Sequence, residues 1–262
     1  MNGILLVNKP AGITSRDVVN KVGIILGTKK IGHPGTLDPM ATGVLVLCIG
    51  TATKVVEILT STTKEYEAEM ILGISTDTYD ITGNILQDNQ VIKSKEEIRK
   101  VLFNMLGTYE QEVPIYSAVK IDGKKLYEYA RENKKIKLPK REVTISNIDL
   151  LEAKEDKGYT KFTFKCKVSK GTYIRSLICD IAKNLNTVGC MTKLNRIKQG
   201  DFTLEECYTL EDIEQGNFKI LDIKECLSGF TKVVADGKLL NVIKNGSIVT
   251  NRWSKDKVLF TD

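Results

Sequence analysis

Residues 32–43 read Gly-His-Pro-Gly-Thr-Leu-Asp-Pro-Met-Ala-Thr-Gly. Closely spaced glycines and prolines are typical of a loop. Asp38 precedes a proline, which keeps its backbone out of the helical region, and the glycines allow a partner to approach closely. Gly27 and Gly32 have the five-residue spacing of a phosphate-binding loop. His33 and Pro34, however, stand where that loop requires Lys and Ser or Thr, which excludes a nucleotide site. The sequence thus predicts a carboxylate on a stiffened loop, although a single Asp-Pro is often only a turn.

Strands and helices follow each other irregularly on both sides of this loop. The predicted strands are residues 4–7, 44–49, 64–72 and 159–168. The predicted helices run over 15–27, 53–59, 94–107 and 172–185, with Ser15, Ser94 and Thr172 as N-caps. Apolar and charged residues alternate along the third and fourth strands, so each has one polar face. This favours an α+β fold with a mixed or antiparallel sheet over a doubly wound parallel sheet.

The chain length of 262 residues fits one large domain with a small satellite. An acidic stretch near 205–215 predicts the boundary, which divides the chain into domains of 1–210 and 211–262. The second domain is expected to contain strands at 232–234, 247–250 and 257–260, with turns at Asp236-Gly237 and Asn245-Gly246.

Charge is unevenly distributed along the chain. The net charge is +6, and basic blocks at 113–145, 161–202 and 231–262 alternate with acidic ones. Such blocks suit a polyanion, although a lysine-rich solvated surface has the same composition. Residues 116–141 interleave tyrosines with lysines and arginines. That pattern is typical of an RNA-binding segment, because phosphates attract cations and unstacked bases pack on aromatic rings.

The usage of cysteine and histidine argues against a metal centre. No two of the six cysteines lie within four residues of each other, and His33 is the single histidine. Zinc sites need such residues at short spacing, so we expect no metal, and we expect reduced thiols in a cytoplasmic protein. The N-terminus does not read as a signal peptide, and we expect no membrane-spanning segment.

Three further positions can carry chemistry. Tyr66 lies on the apolar side of its strand, Arg175 lies in the first turn of the helix after Thr172, and Leu194 follows in a basic stretch. An arginine at a helix N-terminus opposes the helix dipole, which hints at an anionic partner. Taken singly, these residues are more simply explained as a core tyrosine, a solvated arginine and a core leucine.

Taken together, these stretches resemble the TruB-type tRNA pseudouridine synthases. The matching segments, in the order of the family, are Asn8-Lys9-Pro10-Ala11-Gly12, residues 32–43, Lys64-Glu65-Tyr66, residues 116–120, 127–131, 170–175 and 194–200. Residues 113–116 read Val-Pro-Ile-Tyr, where the family usually has two prolines before the aromatic residue. The tail resembles a short, divergent PUA-type RNA-binding domain.

The resemblance implies that the chain converts the uridine at position 55 of the tRNA T-loop to pseudouridine. The base is flipped out of its stack, the N1–C1′ bond is broken and a C5–C1′ bond is made, with no metal or organic cofactor. Asp38 would be the essential carboxylate, as nucleophile or as base. Arg175 would pair with Asp38 and keep it ionised. Tyr66 would stack on the uracil and take the C5 proton.

The resemblance also implies binding roles. His33 would fill the space of the flipped base, Tyr173 and Leu194 would line the uracil pocket, Lys9 would support the Asp38 loop, and Lys120 would contact the substrate. The segment 116–141 would grip the T-stem-loop of tRNA like a thumb, and we expect a monomer.

Three other hypotheses stay open. One is a non-catalytic tRNA-binding or tRNA-folding module of the same fold, and another is a pseudouridine synthase for a uridine in a different RNA. The third is a nucleoside glycosidase, which would need a second placed carboxylate that the sequence does not offer in a convincing loop.

Overall fold

The computed structural model describes residues 1–132, 134–227, 230–250, 253 and 258–261. Its strands form one large sheet and three small ones. The strands are β1 (Gly3–Lys9), β2 (Ile31–Gly32), β3 (Thr42–Ile49), β4 (Lys64–Leu72), β5 (Ile74–Thr76), β6 (Ile85–Asp88), β7 (Gly107–Glu112), β8 (Lys120–Ile121), β9 (Lys124–Lys125), β10 (Lys140–Asp156), β11 (Tyr159–Val168), β12 (Gly189–Gln199), β13 (Phe202–Thr203), β14 (Thr231–Val234) and β15 (Val258–Thr261). The helices are α1 (Ser15–Ile25), α2 (Val56–Thr60), α3 (Lys95–Asn104), α4 (Leu126–Arg131), α5 (Ile174–Asn184), α6 (Leu210–Glu214) and α7 (Gly237–Lys244), with 3-10 turns at Gly50–Val55 and Leu204–Glu206.

The large sheet is mixed, as predicted. Its order is β1-β3-β12-β4-β11-β10-β7, with β2 beside β3 and β13 beside β12. Every neighbouring pair is antiparallel except β3 and β12, which run parallel where Thr42 faces Asn195 and Gly43 faces Arg196. The loop that carries Asp38 enters the sheet at this parallel junction, because it ends at the first residue of β3.

Helices and turns cover both faces of the sheet. On β1, Leu5 and Val7 point into a core shared with α1, α3 and α5, while Ile4 and Leu6 point into a second core under α2 and the 3-10 turn before it. All four side chains are almost completely buried. A strand buried on both faces shows a continuous apolar run, which is the pattern that residues 4–7 have.

Two predicted helix caps are wrong. The first helix is capped by Thr14, which exchanges hydrogen bonds with Asp17 in a capping box, whereas the Ser15 hydroxyl is buried and bonds the backbone of Leu37. Thr172 does not cap α5 either, because its hydroxyl donates to the carbonyl of Ser169. The capping box of Ser94 with Glu97 is confirmed.

The described part of the tail holds more helix than predicted. The strand predicted at 247–250 is absent there, and Asp236-Gly237 opens α7 instead of forming a strand turn. The apolar residues at 239, 240, 242 and 243 have helical spacing, which the Asp-Gly turn signal obscured. The segments 232–234 and 258–260 are in strands that pair in parallel, and residue 257 lies outside the described residues.

The chain stays in contact with the first strand well beyond residue 210. Ile4 and Leu221 exchange two backbone hydrogen bonds of 2.9 and 2.8 Å. Ile213 is completely buried in the main core. The predicted division between residues 210 and 211 stays a prediction.

Candidate active site

The backbone on both sides of Asp38 is held by buried polar side chains. The Lys9 ammonium is completely buried and donates to the carbonyls of Pro10, Pro39 and Ala41 at 2.7, 3.2 and 2.8 Å. The Ser15 hydroxyl bonds both the amide and the carbonyl of residue 37. Because these bonds engage the residues on either side of Asp38, the loop presents its carboxylate in one orientation.

Asp38 and Arg175 form a two-point ion pair. Arg175 Nε and Nη2 donate to Asp38 Oδ2 and Oδ1 at 2.9 and 3.0 Å, the fork geometry that arginine favours with carboxylates. The Arg175 side chain is 7% exposed and the Asp38 side chain 30% exposed, so the carboxylate keeps an open edge. The same guanidinium donates to the carbonyls of Thr78 and Tyr116 at 3.2 and 3.0 Å.

The start of α5 is fixed by β7, the last strand of the sheet. Gln111, which is 1% exposed, accepts a hydrogen bond of 2.8 Å from the amide of Tyr173. One turn on, the Ser176 hydroxyl donates to the carbonyl of Glu112 at 2.8 Å. These contacts hold the first turn of the helix and thereby the position from which Arg175 reaches Asp38.

Tyr66 lies on β4, which pairs with β11 on one side and β12 on the other, and it is 8% exposed. Its strand neighbours are Cys166 on β11 and Arg196 on β12. Burial raises the pKa of Tyr66, while the charge of Arg196 and a hydrogen bond to it act in the opposite direction, and the negative charge of Asp38 adds to the rise. Leu194, 7% exposed, lies two residues before Arg196 on the same strand.

The other predicted substrate-binding residues lie around this centre. His33 is half-buried in the turn before Asp38, and its Nδ1 has no hydrogen-bond partner among the described residues. Burial lowers the pKa of His33, and the charge of Arg16 adds to that effect, so the imidazole is neutral at neutral pH. Tyr173 is the N-cap residue of α5 and is half-buried. Lys120 is exposed in the small hairpin of β8 and β9.

The basic segment 116–141 contains that hairpin and α4, and it ends in the first two residues of β10. Its tyrosine rings already carry cations of the same segment, Lys124 over Tyr129 at 5.0 Å and both Lys125 and Arg131 over Tyr127 at 5.3 and 5.2 Å. Such cation–π contacts group the positive charges on one folded unit.

Four groups that matter to this arrangement do not follow from the sequence analysis. They are the carbonyls of Thr78 and Tyr116, the Gln111 amide and the Arg196 guanidinium. The turn that carries Thr78 is built by Asp80, whose carboxylate accepts hydrogen bonds from the hydroxyls of residues 78 and 82. The density of Asp, Thr and Gly over residues 76–84 predicts such a turn, but no local pattern says that its carbonyl meets Arg175.

Neither a metal cluster nor a membrane helix occurs in the part of the chain that the structure describes. No group of three or more His, Cys, Asp or Glu side chains comes together there in a way that could hold a metal ion. No described helix has the length and apolar character needed to cross a membrane.

Comparison with known proteins identifies the family. Residues 24–174 match the family described as TruB family pseudouridylate synthase (N terminal domain). The chain belongs to this family. Its TruB relatives include tRNA pseudouridine synthase B of Bacillus cytotoxicus, 43% identical over 100% of this chain and 88% of that protein. The protein of the same name from Bacillus pumilus is 45% identical over 95% of this chain and 84% of its own length.

A solved structure shares the fold of this TruB-family chain. A chain from the crystal structure of a Cbf5-Nop10-Gar1 complex superposes with a TM-score of 0.71 and 27% identity, over 94% of this chain and 67% of that one. The resemblance to TruB-type synthases and the α+β fold with a mixed sheet are therefore confirmed.

Proposed function

We propose that the chain isomerises the uridine at position 55 in the T-loop of tRNA to pseudouridine. The observation that carries this proposal is the Asp38 carboxylate, held at two points by Arg175, open on one edge, and near enough to the buried Tyr66 for its charge to raise the pKa of that tyrosine. The family and the tRNA pseudouridine synthases among its relatives support the substrate. The N1–C1′ bond is broken, the uracil rotates, and a C5–C1′ bond is made.

The reacting base has to leave the stack of the T-loop to reach Asp38. A neutral, half-buried imidazole at the front of the loop suits the space that the base vacates, and we assign this role to His33. Tyr66, Tyr173 and Leu194 supply ring faces and an apolar wall that hold the detached uracil. These surfaces also keep out water, which would otherwise hydrolyse the sugar.

The chemistry rests on side chains of this protein alone. Arg175 pairs with Asp38 at two points and orients it, so the carboxylate can act at the sugar or at the base once the nucleotide is in place. At the end, Tyr66 takes the proton from C5 and the aromatic uracil is restored. No metal or organic cofactor takes part in this proposal.

The rest of the chain grips the RNA. The segment 116–141, including Lys120, contacts the T-stem-loop through its grouped cations, and residues 211–262 act as a PUA-like RNA-binding domain beside the catalytic domain of 1–210. The protein works as a cytoplasmic monomer. Its six cysteines are free thiols, which suits that compartment.

The test is tritium release from a tRNA transcript labelled at C5 of its uracils. Wild-type enzyme is expected to release tritium from the normal transcript and none from a transcript with cytidine at position 55. Asp38→Asn is expected to lower the rate at least about 1000-fold and to leave the Kd for tRNA within about threefold, because the amide keeps the shape of the carboxylate without its charge.

The outcomes separate the remaining hypotheses. Tight tRNA binding with neither tritium release nor free labelled uracil would identify a binding or folding module, and free labelled uracil would identify a glycosidase. Equal release from the cytidine-55 transcript would assign the reaction to another uridine. Normal turnover by Asp38→Asn would refute the role of Asp38.

A further inference from the structure

Arg196 is a buried cation that has no anionic partner in the part of the chain that the structure describes. Its side chain is 1% exposed, and no carboxylate of the described residues lies within salt-bridge distance of it. Its guanidinium is held by carbonyls instead, with Nε donating to Val44 at 2.7 Å and Nη2 to Gly35 at 3.1 Å. A buried charge is costly unless a charge of opposite sign or a set of hydrogen bonds offsets it, so its position calls for an explanation.

The position of Arg196 is central to the site. Its strand runs between β3 and β4, and the residue faces Gly43 on one side and Tyr66 on the other. A Cβ on Gly43 would clash with the carbonyl oxygen of Arg196, and one on Gly35 would lie 3.2 Å from Nη1. Both glycines therefore let the backbone of the catalytic loop close onto this one arginine.

The charge of Arg196 shifts the pKa of the ionisable groups around it. Burial is the largest cause of the lowered pKa of Lys9, Lys64 and His33, and the Arg196 charge adds to that effect in each case. Besides burial, the Cys166 thiol and the charge of Asp38 raise the pKa of Tyr66, whereas the charge of Arg196 lowers it. Of these, Arg196 alone favours a negative charge on the Tyr66 oxygen.

We propose that Arg196, which lies opposite Tyr66 on the neighbouring strand, is a positioning residue for Tyr66 and stabilises the tyrosine oxygen when that oxygen is negatively charged. The inference rests on the proposed function, in which Tyr66 removes the proton from C5. The charge of Asp38 is already balanced by Arg175. When Tyr66 becomes a phenolate in the proposed reaction, Arg196 is the cation that can balance its negative charge. The Gly35 bond ties the turn that carries His33 to the same point.

The proton transfer is balanced as follows. The phenolate oxygen of Tyr66 takes the C5 proton of the newly C5-linked base. The electron pair of that C–H bond forms the C5–C6 double bond, and the electrons of the C6–N1 double bond move to N1, which takes a proton from water. The phenol then returns its proton to water before the next cycle. Arg196 gives up no proton and stabilises the phenolate at the start of the step.

The test combines Arg196 variants with a more acidic tyrosine. Arg196→Gln removes the charge but keeps an amide donor, and replacement of Tyr66 by 3,5-difluorotyrosine lowers the intrinsic pKa of the phenol. We expect Arg196→Gln to slow single-turnover tritium release at least about tenfold, with the Kd for tRNA within about threefold of wild type. The difluorotyrosine is expected to restore at least about half of the lost rate, on a logarithmic scale, and to change the rate less when Arg196 is present.

A structural role for Arg196 would give a different pattern. If the fluorinated tyrosine changed the rate by the same factor in both backgrounds, or if Arg196→Gln left tritium release unchanged, the proposal would be overturned. Arg99→Gln, at an exposed arginine of α3, is the matched control and should behave as wild type.

A second variant carries the test if Arg196→Gln does not fold. Arg196→Lys keeps the charge, so release within about fivefold of wild type is expected, and a loss of about 100-fold at an unchanged melting temperature would overturn the proposal. Absence of release by wild-type enzyme would count against the proposed function itself, and not against the pairing of Arg196 with Tyr66.

Discussion

Replacement of Arg175 by lysine tests how the site holds its carboxylate. The arginine makes four hydrogen bonds, two to Asp38 and one each to the carbonyls of Thr78 and Tyr116, over 2.9 to 3.2 Å. Lysine keeps the positive charge but has one nitrogen in place of the planar fork. The variant therefore separates the charge of the pair from its geometry.

The magnitude follows from these contacts. A hydrogen bond that involves a charged group contributes about 1.5 to 3 kcal/mol, and lysine can keep one or two of the four. Water can replace part of the loss at Asp38, whose side chain is 30% exposed. We therefore expect the free energy of unfolding to fall by about 2 to 3 kcal/mol. For a chain of this size that lowers the Tm by roughly 5 to 10 °C.

The catalytic effect should be larger than the effect on stability. A carboxylate displaced by about 1 Å costs on the order of 100-fold in rate, because the reacting atoms are no longer aligned. Single-turnover tritium release from C5-labelled tRNA is expected to fall about 100-fold, with the Kd for tRNA within about threefold. Arg99→Lys, on the exposed face of α3, is the matched control.

One result would refute this reasoning. If Arg175→Lys released tritium within about threefold of the wild-type rate, the two-point geometry would be irrelevant and charge alone would suffice. A normal rate combined with a lowered Tm would lead to the same conclusion, since the loss of hydrogen bonds would then be visible in stability and absent from catalysis.

Two further predictions concern RNA binding and stability. Replacing both Lys135 and Lys137, two exposed residues of the basic segment, by alanine should lower the slope of log Kd against log salt by about 1.5. The matched double variant Lys95→Ala with Lys100→Ala on α3 should leave the slope unchanged. An unchanged slope in the first variant would mean that the segment is only a solvated surface. Burial raises the pKa of Cys48 to about 12, whereas a thiol in the unfolded chain has a pKa of about 8.5. Above that pH the unfolded state binds fewer protons than the folded state, so the free energy of unfolding falls as the pH rises toward 12. Urea titrations under reductant should show that Cys48→Ala removes about 2 kcal/mol of the loss between about pH 8.5 and 10, and an identical loss in both proteins would contradict the assignment.

Much of the fold could be predicted because its signals are local. The strand Lys64–Leu72 has the predicted bounds, since each alternating side chain reports which face it occupies. The capping box at Ser94 lies within four residues of sequence. Ser15 and Thr172 were assigned wrongly for a related reason. A hydroxyl near a helix start can cap the helix or bond elsewhere, and its choice depends on packing that the pattern does not contain.

The same distinction between local signals and tertiary packing applies to the candidate site. The sequence by itself determined that an acid stands on a stiffened loop, that a tyrosine lies on the apolar side of a strand, and that an arginine opens a helix, because each statement needs only neighbouring residues. The pairing of Asp38 with Arg175, 137 positions apart, followed from no local pattern and was expected only from the family resemblance, and the tertiary structure decided that the two side chains meet at two points. It also decided that the carbonyls of Thr78 and Tyr116 accept hydrogen bonds from Arg175 and that Arg196 lies opposite Tyr66 on the neighbouring strand. Such contacts depend on strand order and register in the mixed sheet, and these are set by the burial of the whole core.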